Sequence, residues 1–274
     1  MKLPFTVVDA FASRPFTGNQ AAVMPLDAWL PDETLAAIAA EHNYAETAFL
    51  VPTTGDADHE LRWFTPAVEV ALCGHATLAS GHHLLSADPA LERVRFRTRK
   101  AGVLEVARAE TGYAMRLPAY PPAPHAMPET LAALGVSEAV ATLWHPNHYA
   151  LVVLADEAAV RGLSPDYRAL AQLTADETPN SEPDTLVIAT APGTDTDVVS
   201  RVFAAAAGID EDPVTGSAHA VLTPYWAERL GRADFTAFQA SRRGGHIGCR
   251  MDGEHVVLTG RCVTAMEGVL HLPG

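Results

Sequence analysis

Two short stretches share one pattern and lie about half a chain apart. "CGHAT" (73–77) and "TGSAH" (215–219) both have the form x-Gly-polar-Ala-polar, and the chain has 274 residues. Each stretch opens a run with helical spacing of apolar residues, "ATLASGHHLL" in the first half and "AVLTPYWAERLG" in the second. The pattern predicts two similar α/β lobes, each presenting one helix N-terminus to a cleft. Since matches this short also arise by chance, a chain without duplication stays open on this pattern alone.

The elements around these helices are short and strand-rich. Strand patterns occur in the first half at 5–11, 17–24, 46–51, 61–64, 94–99, 103–108 and 113–117. A proline-rich stretch, "PAYPPAPHAMP" (118–128), predicts an extended linker. Further strands are predicted at 149–155, 185–190, 198–204, 236–241, 246–251 and 255–263, with helices at 31–43 and 164–173. Pro224 is expected to bend the second of the two repeated helices or to restrict its first turns.

Charge and cysteine usage exclude several classes of function. Nineteen basic and 33 acidic residues give a net charge of −14, which argues against nucleic acid and anionic membranes as partners. No apolar stretch is long enough to span a membrane, and the N-terminus reads as a strand and not as a signal peptide. Three cysteines without a CxxC pair fit a reducing cytoplasm, without disulfides or structural zinc.

The two glycine turns are candidate anion sites. A helix N-terminus exposes unpaired N–H groups with positive partial charge, and glycine allows a ligand to approach the backbone. Gly74 and Gly216 therefore predict binding of a small carboxylate or phosphate despite the negative net charge. The alternative is that Thr77 and Ser217 only cap their helices.

His75 and Cys73 stand beside the first turn. A histidine at a helix start is disfavoured as a cation, so we expect His75 to be a neutral hydrogen-bonding group or a proton relay, unless it is only structural. His82 lies on the same helix face, but no further ligand pattern accompanies the pair, so no metal site is expected. A two-thiol racemase needs a second cysteine at Thr215, which favours packing as the role of Cys73.

Two carboxylates are candidates for acid/base chemistry. Glu46 begins an apolar strand, where partial burial suits a group that exchanges protons with carbon. Asp212 belongs to the acidic run 210–212, which comes just before Gly216. Acidic runs are most often solvated loops, and this alternative stays open for Asp212 on local grounds.

Four segments together resemble the PhzF-like (phenazine-biosynthesis-type) isomerase family, whose fold is that of diaminopimelate epimerases. They are "VDAFASRPFTGNQAAV" (8–23), "HNYAETAFL" (42–50), "RWFTPAVEVALCGHATLAS" (62–80) and "GIDEDPVTGSAHAVL" (208–222), with a weaker match at 239–253. The resemblance implies a mixed α+β fold of two pseudo-symmetric lobes, each a strongly curved, mostly antiparallel sheet around a central helix. The expected lobes are 1–118 and 119–264, with a strand at about 265–274 returning to the first.

The resemblance also implies an activity and a set of site residues. It implies a cofactor-independent isomerase that moves a proton between carbons of a small carboxylate-bearing substrate in the inter-lobe cleft, in a cytoplasmic homodimer. The family's catalytic residues fall on Glu46, His75 and Asp212. The expected substrate-binding residues are Asn19, Gly74, Ala76, Gly216, Ser217 and Ala218.

Two departures from the phenazine enzyme itself put phenazine-precursor processing in doubt. Gln20 stands where that enzyme has proline, and Leu72-Cys73 replaces a cysteine-free pair. Two other functions stay open: epimerisation or racemisation at an α-carbon by Glu46 and Asp212 as opposed bases, and binding of small anions without turnover.

Overall fold

The computed structural model describes residues 1–173 and 185–272. These residues form two compact units, Met1–Leu117 with Leu258–Gly274, and Pro118–Val257. The strands are β1 (Lys2–Ala10), β2 (Asn19–Pro25), β3 (Glu46–Pro52), β4 (His59–Phe64), β5 (Glu69–Val70), β6 (Arg93–Thr98), β7 (Val103–Ala109), β8 (Gly112–Pro118), β9 (Ala123–Pro124), β10 (Ala141–His145), β11 (Tyr149–Val153), β12 (Leu186–Pro192), β13 (Val198–Ala204), β14 (Ile209–Asp212), β15 (Asp234–Gln239), β16 (Gly245–Asp252), β17 (His255–Gly260) and β18 (Cys262–His271). The helices are α1 (Asp32–His42), α2 (Gly74–Ala87), α3 (Pro128–Leu134), α4 (Glu157–Arg161), α5 (Tyr167–Leu170) and α6 (Gly216–Leu230), with a 3₁₀ turn at Ala205–Ala207.

Both units follow one order of strand pairing. In the first unit, β1–β2 is antiparallel, β2–β3 parallel, β3–β4 antiparallel, β4–β6 parallel and β6–β7 antiparallel. In the second unit, β10–β11, β11–β12, β12–β13, β13–β15 and β15–β16 repeat that sequence of directions. A short antiparallel strand, β5 or β14, precedes the long helix in each unit. The duplication predicted from the glycine turns is therefore confirmed, as is the mixed, mostly antiparallel fold class.

The first unit wraps its sheet around α2. The helix contacts β1, β2, β3, β6, β7 and β18, and its residues from Gly74 to Gly81 are all buried. Small side chains allow this close approach: a Cβ on Gly81 would lie 2.3 Å from Val106 Cγ1. β18 pairs with β1 in antiparallel orientation. Residues 273–274 of the strand expected at about 265–274 lie outside the described residues.

The second unit has α6 in the equivalent place, and Pro224 does not end it. The helix runs from Gly216 to Leu230, with Trp226 donating its indole N–H to Thr190 Oγ1 at 3.0 Å. A proline leaves the carbonyl four residues earlier without its helical donor. Here that carbonyl, on Ala220, accepts a hydrogen bond of 2.9 Å from the Tyr120 N–H. The proline-rich segment thus supplies the donor that lets the helix continue through Pro224.

Some local predictions were wrong. The helix expected at 164–173 is only the short α5, and the strand expected at 255–263 is two strands, β17 and β18. The break falls at Arg261, where the carbonyl accepts from the Ala12 N–H at 2.9 Å. α3, α4 and β10 were not predicted.

Each unit contains an apolar cluster of buried residues. One cluster in the first unit lies under α1 and includes Met24, Leu35, Ile38 and Phe49. The second unit has its own cluster around Trp144, Val152, Val187 and Phe203. Within residues 1–173 and 185–272, the helices are all too short or too polar to cross a membrane.

Candidate active site

The two long helices begin in the same way. Cys73 and Thr215 occupy the N-cap positions of α2 and α6 in extended conformations, and neither side chain caps its helix. Because no side chain caps the first-turn N–H groups, these groups are suited to binding an anion. Thr77 does not cap its helix, because its Oγ1 donates to the Cys73 carbonyl at 2.6 Å. Ser217 does not act as a cap either, since the N-cap residue of its helix is Thr215.

Four side chains of the first unit meet at the start of α2. His75 Nε2 lies 2.8 Å from Glu46 Oε2, and only 4% of the His75 side chain is exposed. On the other side of the ring, Asn19 Nδ2 donates to His75 Nδ1 at 3.1 Å, and Cys73 Sγ lies 3.5 Å from the same nitrogen. The structure therefore brings together the predicted residues Asn19, Glu46 and His75, and it adds Cys73 to them.

Backbone geometry explains this meeting. Asn19 begins β2 and Glu46 begins β3, and the two strands run in parallel with Ala21 opposite Glu46. The turn before Asn19 requires Gly18, whose φ is +66° and where a Cβ would lie 2.1 Å from the Ala10 carbonyl oxygen. Both polar side chains thus start at the same end of neighbouring strands.

The surroundings of His75 act on its pKa in opposite directions. Burial lowers the pKa of His75, whereas the Glu46 carboxylate beside Nε2 raises it, and the pKa of His75 lies above its ordinary value. The Asn19 amide suits both protonation states. With its NH₂ toward Nδ1 the ring carries its proton on Nε2, facing Glu46, and with the amide turned over its oxygen accepts from an imidazolium. His75 is therefore equipped to hold a second proton next to Glu46.

Cys73 is a buried thiol. Burial, reinforced by the nearby Glu46 carboxylate, raises its pKa to about 11. A thiol with this pKa is protonated at neutral pH and is a poor nucleophile. This agrees with a mainly packing role for Cys73 in the isomerase, although its sulfur touches the His75 ring.

The second unit builds another polar group at the start of α6. Thr215 Oγ1 donates to Asp212 Oδ2 at 2.5 Å. Gln239 joins the two segments, because its Oε1 accepts from the Thr215 N–H at 2.8 Å and its Nε2 donates to the Asp212 carbonyl at 2.7 Å. Ser217, one residue into the helix, is half-buried, and its hydroxyl forms no hydrogen bond within the described parts of the chain.

The acidic run 210–212 is not a loop but the strand β14. Its members have different surroundings: Asp210 is exposed, and Glu211 accepts two hydrogen bonds from Arg201 at 2.7 and 2.9 Å. Asp212 faces the helix start through Thr215. Of the three acids, Asp212 is thus the one placed beside the glycine turn.

Gln239 is the functional candidate that sequence reasoning missed. A signal for it exists, because in β15 the buried positions alternate and Gln239 occupies the inward position after Phe235 and Ala237. An amide at an inward-facing strand position needs buried hydrogen-bonding partners.

Two other polar clusters of the first unit are structural. His82 has Tyr113 Oη and Thr264 Oγ1 at 3.1 and 3.0 Å from its two ring nitrogens. A cavity of about 240 Å³ lies beside β4 and β5, but its arginines are paired: Arg62 with Glu69 at 2.7 Å and Arg99 with Glu69 at 2.9 Å. Neither cluster presents a reactive group comparable to the Glu46–His75 pair.

Comparison with known proteins decides the family. The PhzC-PhzF model, described as phenazine biosynthesis-like protein, matches residues 8–268. The chain belongs to the PhzC-PhzF family. Its PhzC-PhzF relatives include the uncharacterized isomerase PA3578 of Pseudomonas aeruginosa, which is 48% identical over 274 residues, covering 99% of this chain and 100% of the relative.

Solved structures agree with this family. A crystal structure of a PhzF-family phenazine biosynthesis protein from Enterococcus faecalis has a TM-score of 0.88 at 38% identity and covers 99% of this chain and 100% of its own. A hydroxyproline epimerase from Agrobacterium vitis shares the fold alone, with a TM-score of 0.64 at 13% identity over 98% of this chain and 92% of its own. The predictions of a PhzF-family member, of an epimerase-like fold and of an isomerase are confirmed.

Proposed function

We propose that this PhzC-PhzF isomerase moves a proton between carbons of a small carboxylate-bearing metabolite, using Glu46 as the acid/base and no cofactor. The observation that supports this most directly is the 2.8 Å contact between Glu46 Oε2 and His75 Nε2 at the start of α2. The Glu46 side chain keeps 14% of its surface exposed, so it can still reach a substrate, while the histidine behind it is buried.

Glu46 removes a proton from carbon and returns it to another carbon. His75 assists from Nε2, since an imidazole beside the carboxylate can donate a proton to it or take one from it without solvent. Asn19 accommodates both protonation states of the ring through Nδ1. The N–H groups at Gly74 and Ala76 stabilise the carboxylate or the enolate that forms, because donors fixed before the reaction need no rearrangement.

For the helix start of the second unit we propose a ligand-binding role of Asp212, Gly216, Ser217 and Ala218 toward polar groups of a small carboxylate. Gln239 and Thr215 fix the position of Asp212, while the Ser217 hydroxyl keeps its hydrogen-bonding capacity for a ligand. A carboxylate substrate is compatible with the net charge of −14, since the helix N-termini provide local positive potential. The homodimer and the cytoplasmic location stay predictions.

Proton exchange with solvent tests this proposal. The protein is incubated in D₂O with a panel of small, optically active α-amino and α-hydroxy carboxylic acids that carry a carbon–carbon double bond, and deuterium incorporation is followed by NMR. An accepted compound should gain deuterium and shift its unsaturation, and Glu46→Gln should slow this by at least about 100-fold. Glu92→Gln, a change of the same kind at an exposed site, should not. Full rate in Glu46→Gln rules out the assignment.

The same experiment separates the two alternatives. Loss of optical activity without a shift of unsaturation indicates epimerisation by Glu46 and Asp212. A ligand-induced rise in melting temperature that persists in Glu46→Gln without any exchange indicates a binding protein. The proton shift is favoured over two-base epimerisation, because two opposed bases are expected at equivalent positions of the two units. Glu46 lies at the start of β3 and Asp212 at the end of β14, which are not equivalent positions.

A further inference from the structure

Three potential metal ligands of different chemical type converge at the start of α2. One carboxylate oxygen of Glu46, the Cys73 sulfur and a His75 ring nitrogen all lie within 4.8 Å of one another. Glu46 Oε2 is 2.8 Å from His75 Nε2, and Cys73 Sγ is 4.0 Å from the same nitrogen. The sequence alone does not predict this cluster, because Glu46 is far from Cys73 and His75 along the chain.

We propose that Glu46, Cys73 and His75 form a binding site for a thiophilic divalent cation, with Zn²⁺ as the preferred ion. Thiolate, imidazole and carboxylate are the three donor types that zinc sites in proteins use. With Zn–S near 2.3 Å and Zn–N and Zn–O near 2.0 Å, tetrahedral geometry places neighbouring ligand atoms about 3.3 to 3.5 Å apart. The distances from Nε2 to Cys73 Sγ and to Glu46 Oε2, 4.0 and 2.8 Å, each differ from these values by about 0.5 Å. Because Sγ lies nearer to Nδ1, at 3.5 Å, coordination at Nε2 requires the thiolate to move toward Glu46.

The surroundings of the ring favour metal at Nε2. Metal-bound histidines usually donate their other ring N–H to a fixed acceptor, which sets the tautomer. Asn19, whose side chain already contacts His75 Nδ1, provides that acceptor once its amide oxygen faces the ring. Three protein ligands leave the fourth position of a tetrahedral ion for water or for a substrate carboxylate.

Coordination is balanced in protons and electron pairs. The Cys73 thiol releases its proton to solvent as the S–Zn bond forms, and the neutral imidazole and the carboxylate each contribute one lone pair. No oxidant or reductant takes part. The ion occupies the lone pairs that Glu46 and His75 use in the proposed isomerisation, so Zn²⁺ is expected to inhibit that reaction. The inhibition rests on the proposed function, whereas the binding does not.

Cobalt(II) provides a direct test, since a cobalt–thiolate bond absorbs in the near ultraviolet and histidine or carboxylate ligation alone does not. The full-length, reduced protein is titrated with Co²⁺ and then with Zn²⁺ in competition. We expect one charge-transfer band, displaced by one equivalent of Zn²⁺. Cys73→Ser should abolish the band, and Glu46→Gln should keep it while weakening Co²⁺ binding at least about tenfold. Cys262→Ser is the matched control, a half-buried thiol of the same unit, and should keep both band and affinity.

The absence of a band in the unsubstituted protein overturns the proposal, as does a band that survives Cys73→Ser. Circular dichroism of each variant identifies any loss of folding. If Cys73→Ser does not fold, unchanged Co²⁺ affinity in Glu46→Gln still refutes the three-ligand site. The titration contains no substrate, so its failure leaves the isomerase proposal standing, and a negative deuterium experiment leaves the metal site standing.

Discussion

His219 allows a quantitative test of the second unit. It lies in the first turns of α6, it is fully buried, and its Nδ1–H donates to the Thr215 carbonyl at 2.8 Å. Burial lowers its pKa to about 4 from an ordinary value of 6.5. The folded protein therefore keeps this imidazole neutral at pH values where the unfolded chain binds a proton.

The sign and size of the effect follow from linkage. Because the folded pKa lies below the unfolded one, the stabilisation is complete above pH 6.5 and is lost as the pH falls toward 4. A difference of about 2.5 pKa units corresponds to about 3.4 kcal/mol at the acid limit. At pH 5 the loss is about 2 kcal/mol relative to pH 7.5.

The assay compares urea unfolding of the unmodified protein and of His219→Asn between pH 7.5 and pH 5. Asparagine keeps an N–H donor for the Thr215 carbonyl but does not titrate. The variant should be less stable at pH 7.5, because it loses the packing of the ring. The difference in free energy of unfolding between the two proteins should become about 2 kcal/mol smaller at pH 5. His271→Asn, at an exposed site, should run parallel to the unmodified protein. If the difference in free energy of unfolding stays constant with pH, the lowered pKa of His219 does not contribute to stability as argued.

Two further substitutions test the packing of α2 in the first unit and a buried hydrogen bond in the second. Gly81→Ala should destabilise the protein by about 1–3 kcal/mol in urea unfolding, since its Cβ would lie 2.3 Å from Val106 Cγ1, and an unchanged midpoint would contradict this. Gln239→Leu should cost about 1–3 kcal/mol, since it removes the acceptor of the buried Thr215 N–H. An unchanged unfolding midpoint in Gln239→Leu would argue against the role assigned to this hydrogen bond.

The repeat was predictable from the sequence because its signals are local. A glycine turn followed by small apolar residues at helical spacing marks α2 and α6, and this signal does not depend on residues far away in the sequence. What sequence reasoning missed depends on distant partners. The Ala220 carbonyl that Pro224 leaves free is satisfied by Tyr120, and the short α5 replaces a longer predicted helix. Neither outcome follows from the periodicity of the segment concerned.

The protonation state of His75 shows the same limit at the candidate site. From the sequence, only the helix N-terminus acts on this residue, and a helix terminus disfavours a cation by about 0.3–1 kcal/mol at an exposed position. In the fold, the Glu46 carboxylate lies 2.8 Å away, and hydrogen bonds between charged groups are about twice as strong as neutral ones. The distant Glu46 carboxylate acts against the local effect, so the pKa of His75 does not follow from its own segment alone.

The two units share their strand pairing but differ in the reactive side chains at the start of the long helix, and this difference bears on the reaction. The two units repeat the same strand pairing, yet the N-cap of α2 is a thiol in contact with His75, and the N-cap of α6 is a hydroxyl that donates to Asp212. An enzyme that treats both faces of a carbon alike needs equivalent acids at equivalent places. Here the first unit brings its carboxylate from the start of β3 and the second from the end of β14. This difference favours a reaction in which a single carboxylate, Glu46, both removes and returns the proton.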